Sequence, residues 1–246
     1  MQDLKNCQEQ YSEEHRIEIF ELGRQDNVDR FYIPSKLYGA EKNITTLMES
    51  FNRVCSGSVE MMIIKGGAGI GKTSLVRELL DSVESKSGFL TQGRCEREYR
   101  DTPYYPLIKS FQILVSRILS GDEADIERWK RRFKESFARN GQLVIDFVPE
   151  MEQIIGPQPP LPKLGPVESQ NRLIYIFRRF MQAFSQENKP LVIFLDSFHW
   201  VDSATILLMQ AALSDINSRY IQFVISYQED HIIQAHTLSV ALDEIL

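Results

Sequence analysis

From Glu41 to Val54 the apolar positions Ile44, Leu47, Met48, Phe51 and Val54 recur at the spacing of one helix face. Ser56-Gly57-Ser58 interrupts the pattern, and Val59 to Lys65 reads as a short buried strand. A glycine-rich loop follows directly, then a helix carrying Leu75, Val76, Leu79 and Leu80. Gly88 to Cys95 is a second predicted strand, with helices predicted over Tyr104 to Leu119 and Glu123 to Arg139. The run Ile155-Gly156-Pro157-Gln158-Pro159-Pro160-Leu161-Pro162 predicts neither helix nor central strand, because proline removes a backbone donor and fixes φ. It reads as a stiff surface connector, with a partner-binding polyproline segment as the alternative.

Helical spacing resumes over Glu168 to Phe184, where Leu173, Phe177, Phe180 and Phe184 form a stripe expected in the core. Leu191 to Leu195 is continuously apolar, the mark of a strand covered on both faces of a parallel sheet. A helix over Ala204 to Asp215 and a strand over Ile221 to Ser226 complete the series. Strands alternating with helices predict an α/β sandwich with a mainly parallel sheet. Residues 1–35 are charged, contain Pro34 and show little periodicity, so they read as a linker or tail ahead of one domain over 36–246.

Composition narrows the class. With 246 residues and 43% hydrophobic content the chain can bury a substantial core. A net charge of −6 argues against a nucleic-acid-binding body, so Lys130-Arg131-Arg132 is expected to be a solvated helix face. Cys7, Cys55 and Cys95 lie far apart without a C-x-x-C pair, which suits a reducing compartment and predicts neither disulfides nor a zinc site. His231 and His236 lack metal-ligand company. The polar start, Met1 to His15, does not resemble a signal peptide, and the longest apolar runs are too short to span a bilayer. A cytoplasmic protein without membrane partners is the expectation.

The strongest chemical signal is Gly66-Gly67-Ala68-Gly69-Ile70-Gly71-Lys72-Thr73, followed by Ser74, between a strand and a helix. Glycines allow backbone amides to wrap around a phosphate, and a helix beginning near Gly71 adds its unsatisfied N–H groups. Lys72 supplies a point charge for the β and γ phosphates, and the Thr73 hydroxyl can ligate Mg²⁺. These features predict binding of ATP or ADP with Mg²⁺. The strand Leu191 to Leu195 ends in Asp196, which can deliver a carboxylate beside the loop to hold the metal through water.

Hydrolysis would need a further base to orient water, and the residue after Asp196 is Ser197, a neutral hydroxyl. Asp202 is the candidate catalytic residue from the next turn, with His199 as another; as an alternative, Asp202 caps the helix starting at Ser203. Trp200 reads as packing, with an adenine stack as the second possibility.

Several segments resemble one family. Phe31 to Glu41, GGAGIGKTS from Gly66 to Ser74, Thr102-Pro103-Tyr104, Asn140-Gly141-Gln142, Ile154 to Pro159, Glu168 to Arg172 and Phe194 to Asp202 are similar to the STAND-class AAA-like ATPase module of bacterial, cyanobacterial-type multidomain serine/threonine and sensor histidine kinases. The resemblance runs from roughly Phe20 onward. It implies a three-layer P-loop NTPase sandwich, acting as a nucleotide-dependent switch or scaffold inside a signalling kinase assembly.

The departures from that family's pattern bear on catalysis. Ala40 stands where the family has an arginine near the base and ribose, Ser197 replaces its second acid, Gln228 its γ-phosphate-sensing arginine, and His236-Thr237-Leu238 its His-Pro-Leu. Losing a guanidinium and a carboxylate around one phosphate predicts weak or absent hydrolysis. The resemblance also implies a last strand and a winged-helix lid beyond Leu246, so the strand at Met61 to Lys65 is expected to keep an unpaired edge that favours self-association. The function expected is therefore a regulatory ATP-binding module; the alternatives are an ATPase switch completed by Asp202 or a partner residue, and an interaction scaffold that binds no nucleotide.

Overall fold

Strand parity divides the chain into layers. The computed structural model describes residues 39–228; the expected tail at 1–35, Cys7, His231 and the triplet at His236 lie outside the described residues. Four strands are present among the described residues: β1 (Val59–Lys65), β2 (Phe89–Arg94), β3 (Leu191–Asp196) and β4 (Ile221–Tyr227). All pair in parallel, in the order β1-β4-β3-β2. Successive side chains on a strand point to opposite faces. Val192 and Phe194 of β3 and Val224 of β4 therefore join one apolar cluster, while Leu191, Ile193, Leu195, Ile221, Phe223 and Ile225 join the other. This two-sided burial is why β3 carries an unbroken apolar run rather than an alternating one.

The first face is covered by α1 (Glu41–Cys55), α2 (Lys72–Arg77) and α3 (Leu80–Ser85), through Leu47, Phe51, Leu75, Val76, Leu79 and Val83. The second is covered by a thicker layer made from α4 (Tyr105–Leu119), α5 (Glu123–Phe137), α6 (Gly141–Phe147), α7 (Glu152–Ile155), α8 (Pro166–Phe184) and α9 (Ser203–Leu213). The predicted stripe on α8 does pack: Phe177, Phe180 and Phe184 are buried, and Phe180 lies among Phe111, Phe133 and Phe137. The result is a three-layer α/β/α sandwich around a parallel sheet, the predicted fold class.

Some elements differ from expectation. The helix after the glycine loop is two, α2 and α3, joined by Glu78 and Leu79 in right-handed helical conformation. Leu79 N donates to Val76 O at 3.1 Å, a three-residue bond that tightens the chain there. Helices α6 and α7 are too short to show a period, and burial of Val144, Ile145, Ile154 and Ile155 secures them instead. Helix α8 starts at Pro166, ahead of Glu168, because proline at the first helical position gives up only an N–H without an intrahelical acceptor. The proline run has neither helix nor strand from Gly156 to Pro162, as expected, but its first residue, Ile155, is the end of α7; Gln158 ties the run down locally, its Nε2 donating to Ile155 O and Gly156 O.

Among the described residues β1 lies at the sheet edge, half-buried from Val59 to Ile64, whereas β4 is buried throughout. No helix among them is long and apolar enough to cross a membrane.

Candidate functional site

The carboxyl ends of β3 and β4 converge on the loop that follows β1, as ligand crevices do in open parallel sheets. Strand β1 ends at Lys65, and the chain turns through Gly69 (φ 75°) and Gly71 (φ 91°) into α2. Both angles lie in the left-handed region that suits glycine, and Gly71 is the residue that hands the loop to the helix. The Lys72 ammonium folds back over the loop, donating to Gly66 O at 2.9 Å and Gly67 O at 2.7 Å. Lys72, Thr73 and Ser74 thus face a polar cavity of about 280 Å³.

Strand ends contribute the rest of the lining. Asp196, Ser197, Ser226, Tyr227 and Gln228 line the cavity there. Asp196 Oδ1 accepts the Ser197 N–H at 2.9 Å and a short hydrogen bond from the Ser226 hydroxyl. Both donors reach the same oxygen and so orient the carboxylate, leaving Oδ2 outside these two hydrogen bonds. Ser197 adopts a left-handed conformation (φ 57°), which turns the chain sharply after β3 and brings Ser197 to the cavity wall.

The AAA ATPase domain family profile matches residues 36–225. The chain belongs to the AAA ATPase domain family. Hybrid signal transduction histidine kinase G of Dictyostelium discoideum is 31% identical over 195 residues, 79% of this chain but 6% of that protein. An uncharacterized protein of Rhizobium meliloti is 24% identical over 198 residues, 78% of this chain and 19% of the relative. The chain thus spans a small part of these relatives. A solved structure of the Aeropyrum pernix ORC2 protein in ADPNP and ADP complexes matches with a TM-score of 0.41 at 14% identity, covering 89% of this chain and 48% of that one.

Within this AAA ATPase domain the predicted residues separate into three groups. Gly69, Gly71, Lys72, Thr73, Ser74 and Asp196 line the cavity together. Gly66 and Gly67 contribute their carbonyls to Lys72, while Ala68 and Ile70 are exposed, with Ile70 at 61%. Asp202 stands apart from the cavity lining and caps α9. Its Oδ1 accepts the Thr205 N–H at 2.8 Å and the Tyr104 N–H at 3.2 Å, and its Oδ2 accepts the Thr205 hydroxyl at 2.6 Å. Burial and then the Asp202 charge raise the Tyr104 hydroxyl above its usual pKa.

Trp200 packs on the larger core with the Arg97 guanidinium 5.5 Å from its ring centre, and does not line the cavity. Lys130-Arg131-Arg132 is partly engaged: Lys130 pairs with Glu127, Arg131 is exposed, and Arg132 lies 5.2 Å from the Trp129 ring centre. Ala40 precedes α1 and is likewise absent from the cavity lining, whereas Gln228 is part of it.

One lining residue went unread in the sequence. Arg94, the last residue of β2, reaches the cavity. Its placement follows from the sheet register: Arg94 is the partner of Asp196, so both leave the sheet on the same face.

Proposed function

We propose that this domain is a regulatory ATP-binding module of a signal-transduction protein, with weak or absent hydrolysis. The observation that carries the proposal is that Lys72, Thr73 and Asp196 line the same polar cavity. In this reading the loop from Gly66 to Ser74 cradles the phosphates with its amides. Lys72 leaves the Gly66 and Gly67 carbonyls to pair with phosphate oxygens, exchanging neutral acceptors for charged ones.

The donors near the loop are hard oxygens, the Thr73 hydroxyl and the Asp196 carboxylate, and these suit Mg²⁺ rather than a soft metal. The metal would neutralise developing phosphate charge, and Asp196 would reach it directly or through water. Thr73 and Asp196 are the residues we assign to it.

The water side of the site supports weak or absent hydrolysis. Ser197 offers no carboxylate, and Asp202 has both oxygens engaged as a helix cap, so we assign Asp202 to folding rather than to general-base catalysis. Membership in a STAND-class assembly, kinase domains as neighbours and a cytoplasmic setting are further parts of this reading. They are supported by the sequence motifs and by the relationship to a signal transduction histidine kinase.

The test is a titration with a fluorescent ATP analogue plus Mg²⁺, for the wild type and Lys72→Ala, beside steady-state phosphate release. Expected is a loss of affinity of roughly tenfold or more in Lys72→Ala, as for removal of a charge-assisted hydrogen bond, with release near background. Equal affinity in the variant would sink the binding claim, and robust release by the wild type would sink the regulatory one.

A further inference from the structure

We infer that Arg94 is the residue that distinguishes a nucleoside triphosphate from a diphosphate at this site, an inference that rests on the nucleotide-binding reading above. The cavity has two walls. The loop wall, Gly69 to Ser74, carries Lys72; the strand-end wall carries Arg94, Asp196, Ser197, Ser226, Tyr227 and Gln228. Among the described residues lining the cavity, Lys72 and Arg94 are the cations, one at the start of α2 and the other at the end of β2. Phosphates held by the loop present their outermost member to the strand ends, where the guanidinium is.

The backbone holds Arg94 at that place. Register pairs Arg94 with Asp196 across β2 and β3, and neighbouring strands lie about 4.8 Å apart. A one-residue slip would turn Arg94 into the aromatic layer, and Gly93 opposes such a slip. A Cβ on Gly93 would overlap the Pro106 carbonyl, so a side chain cannot occupy that position while α4 packs on β2. Thr91, two residues earlier on the same face as Gly93, donates its hydroxyl to Ser110 O at 2.6 Å and anchors the same contact.

Arg94 is exposed, and among the described residues no hydrogen bond or ion pair holds its guanidinium. Asp196, its register neighbour, is engaged instead by Ser197 and Ser226. The planar fork of an arginine suits the oxygens of a terminal phosphate, and its charge is always present near neutral pH. The β phosphate, held on the loop wall, gains little from Arg94, so the effect falls on the triphosphate alone.

The experiment compares equilibrium binding of a fluorescent non-hydrolysable ATP analogue and the matching ADP analogue, each with Mg²⁺, to the full chain. Wild type, Arg94→Ala, Arg94→Lys and Lys72→Ala are measured, with thermal melts to confirm folding. The wild type is expected to prefer the triphosphate by roughly tenfold or more, the scale of a charge-assisted hydrogen bond. Arg94→Ala is expected to bring that ratio near one while leaving diphosphate affinity within about twofold, and Arg94→Lys to restore part of it. An unchanged ratio in Arg94→Ala, or an equal loss for both nucleotides, overturns the assignment while leaving the nucleotide site standing. If the wild type binds neither nucleotide, or Lys72→Ala binds both as well as wild type, the underlying site reading falls and the assignment falls with it.

Discussion

Replacing Asp202 separates a folding role from a catalytic one. Asp202→Ala removes the cap of α9, worth about 1 kcal/mol. The change also strips the acceptor from the Tyr104 amide and from the hydroxyl of fully buried Thr205, each lost hydrogen bond adding about 1 kcal/mol. Tyr104 sits at φ 65°, a left-handed conformation that this hydrogen bond helps to hold. The sum is about 3 kcal/mol, and a domain of this size loses about 2–4 °C per kcal/mol, so the melting temperature should fall by roughly 6–12 °C.

Asp202→Asn keeps the Oδ1 acceptor for both backbone amides and gives up the charged partner of Thr205, a loss of about 1 kcal/mol. The assays are differential scanning calorimetry, nucleotide titration and phosphate release on all three proteins. The order of stability should be wild type, then Asn, then Ala, with nucleotide affinity of the folded variants within about twofold of wild type. A variant Asp202→Asn that melts like wild type yet loses a measurable phosphate-release activity would refute the capping argument.

Other consequences follow from the packing. Partial burial works against the charged form of Glu60, but hydrogen bonds from Arg53 (Nε at 2.5 Å) and Ser50 (2.7 Å) outweigh it and hold the carboxyl below its usual value. Its stabilisation is therefore present at neutral pH and lost as pH falls through the folded-state pKa. Urea unfolding should show the gap between wild type and Glu60→Gln closing below about pH 4, and a gap independent of pH would contradict this. Gly93→Ala should destabilise by about 3 kcal/mol or prevent folding, because the obstacle is the Pro106 backbone; a melt equal to wild type would show that β2 and α4 can part freely. Burial, with help from Asp202 and Asp196, pushes the Cys95 thiol far above its usual pKa, so iodoacetamide at pH 8 should modify it only after unfolding. Native-state labelling at the rate of a free thiol would exclude the buried position.

The legible parts of the molecule were those where one physical demand acts over a local window. Strand β1 and the loop after it could be read because the loop needs glycine dihedrals and a lysine at one spacing, and β3 because two-sided burial leaves an unbroken apolar run. Helices α6 and α7 escaped because their stability comes from contacts with distant residues, not from a repeating face. Arg94 escaped for a related reason. Its importance arises from pairing with Asp196 about a hundred residues later, which requires the register of a sheet that no local pattern specifies. Asp202 lay between: its spacing allowed both a cap and a base, and only the positions of Thr205 and Tyr104 distinguish them.

In the proposed function, Mg²⁺ and ATP occupy the loop between β1 and α2. Amide hydrogen exchange, followed residue by residue with and without saturating Mg²⁺ and ATP, tests it most directly. Slower exchange at the amides of Gly67 to Ser74, absent in Lys72→Ala, is the predicted result; exchange unchanged across that loop, or protection confined to another part of the domain, would contradict it.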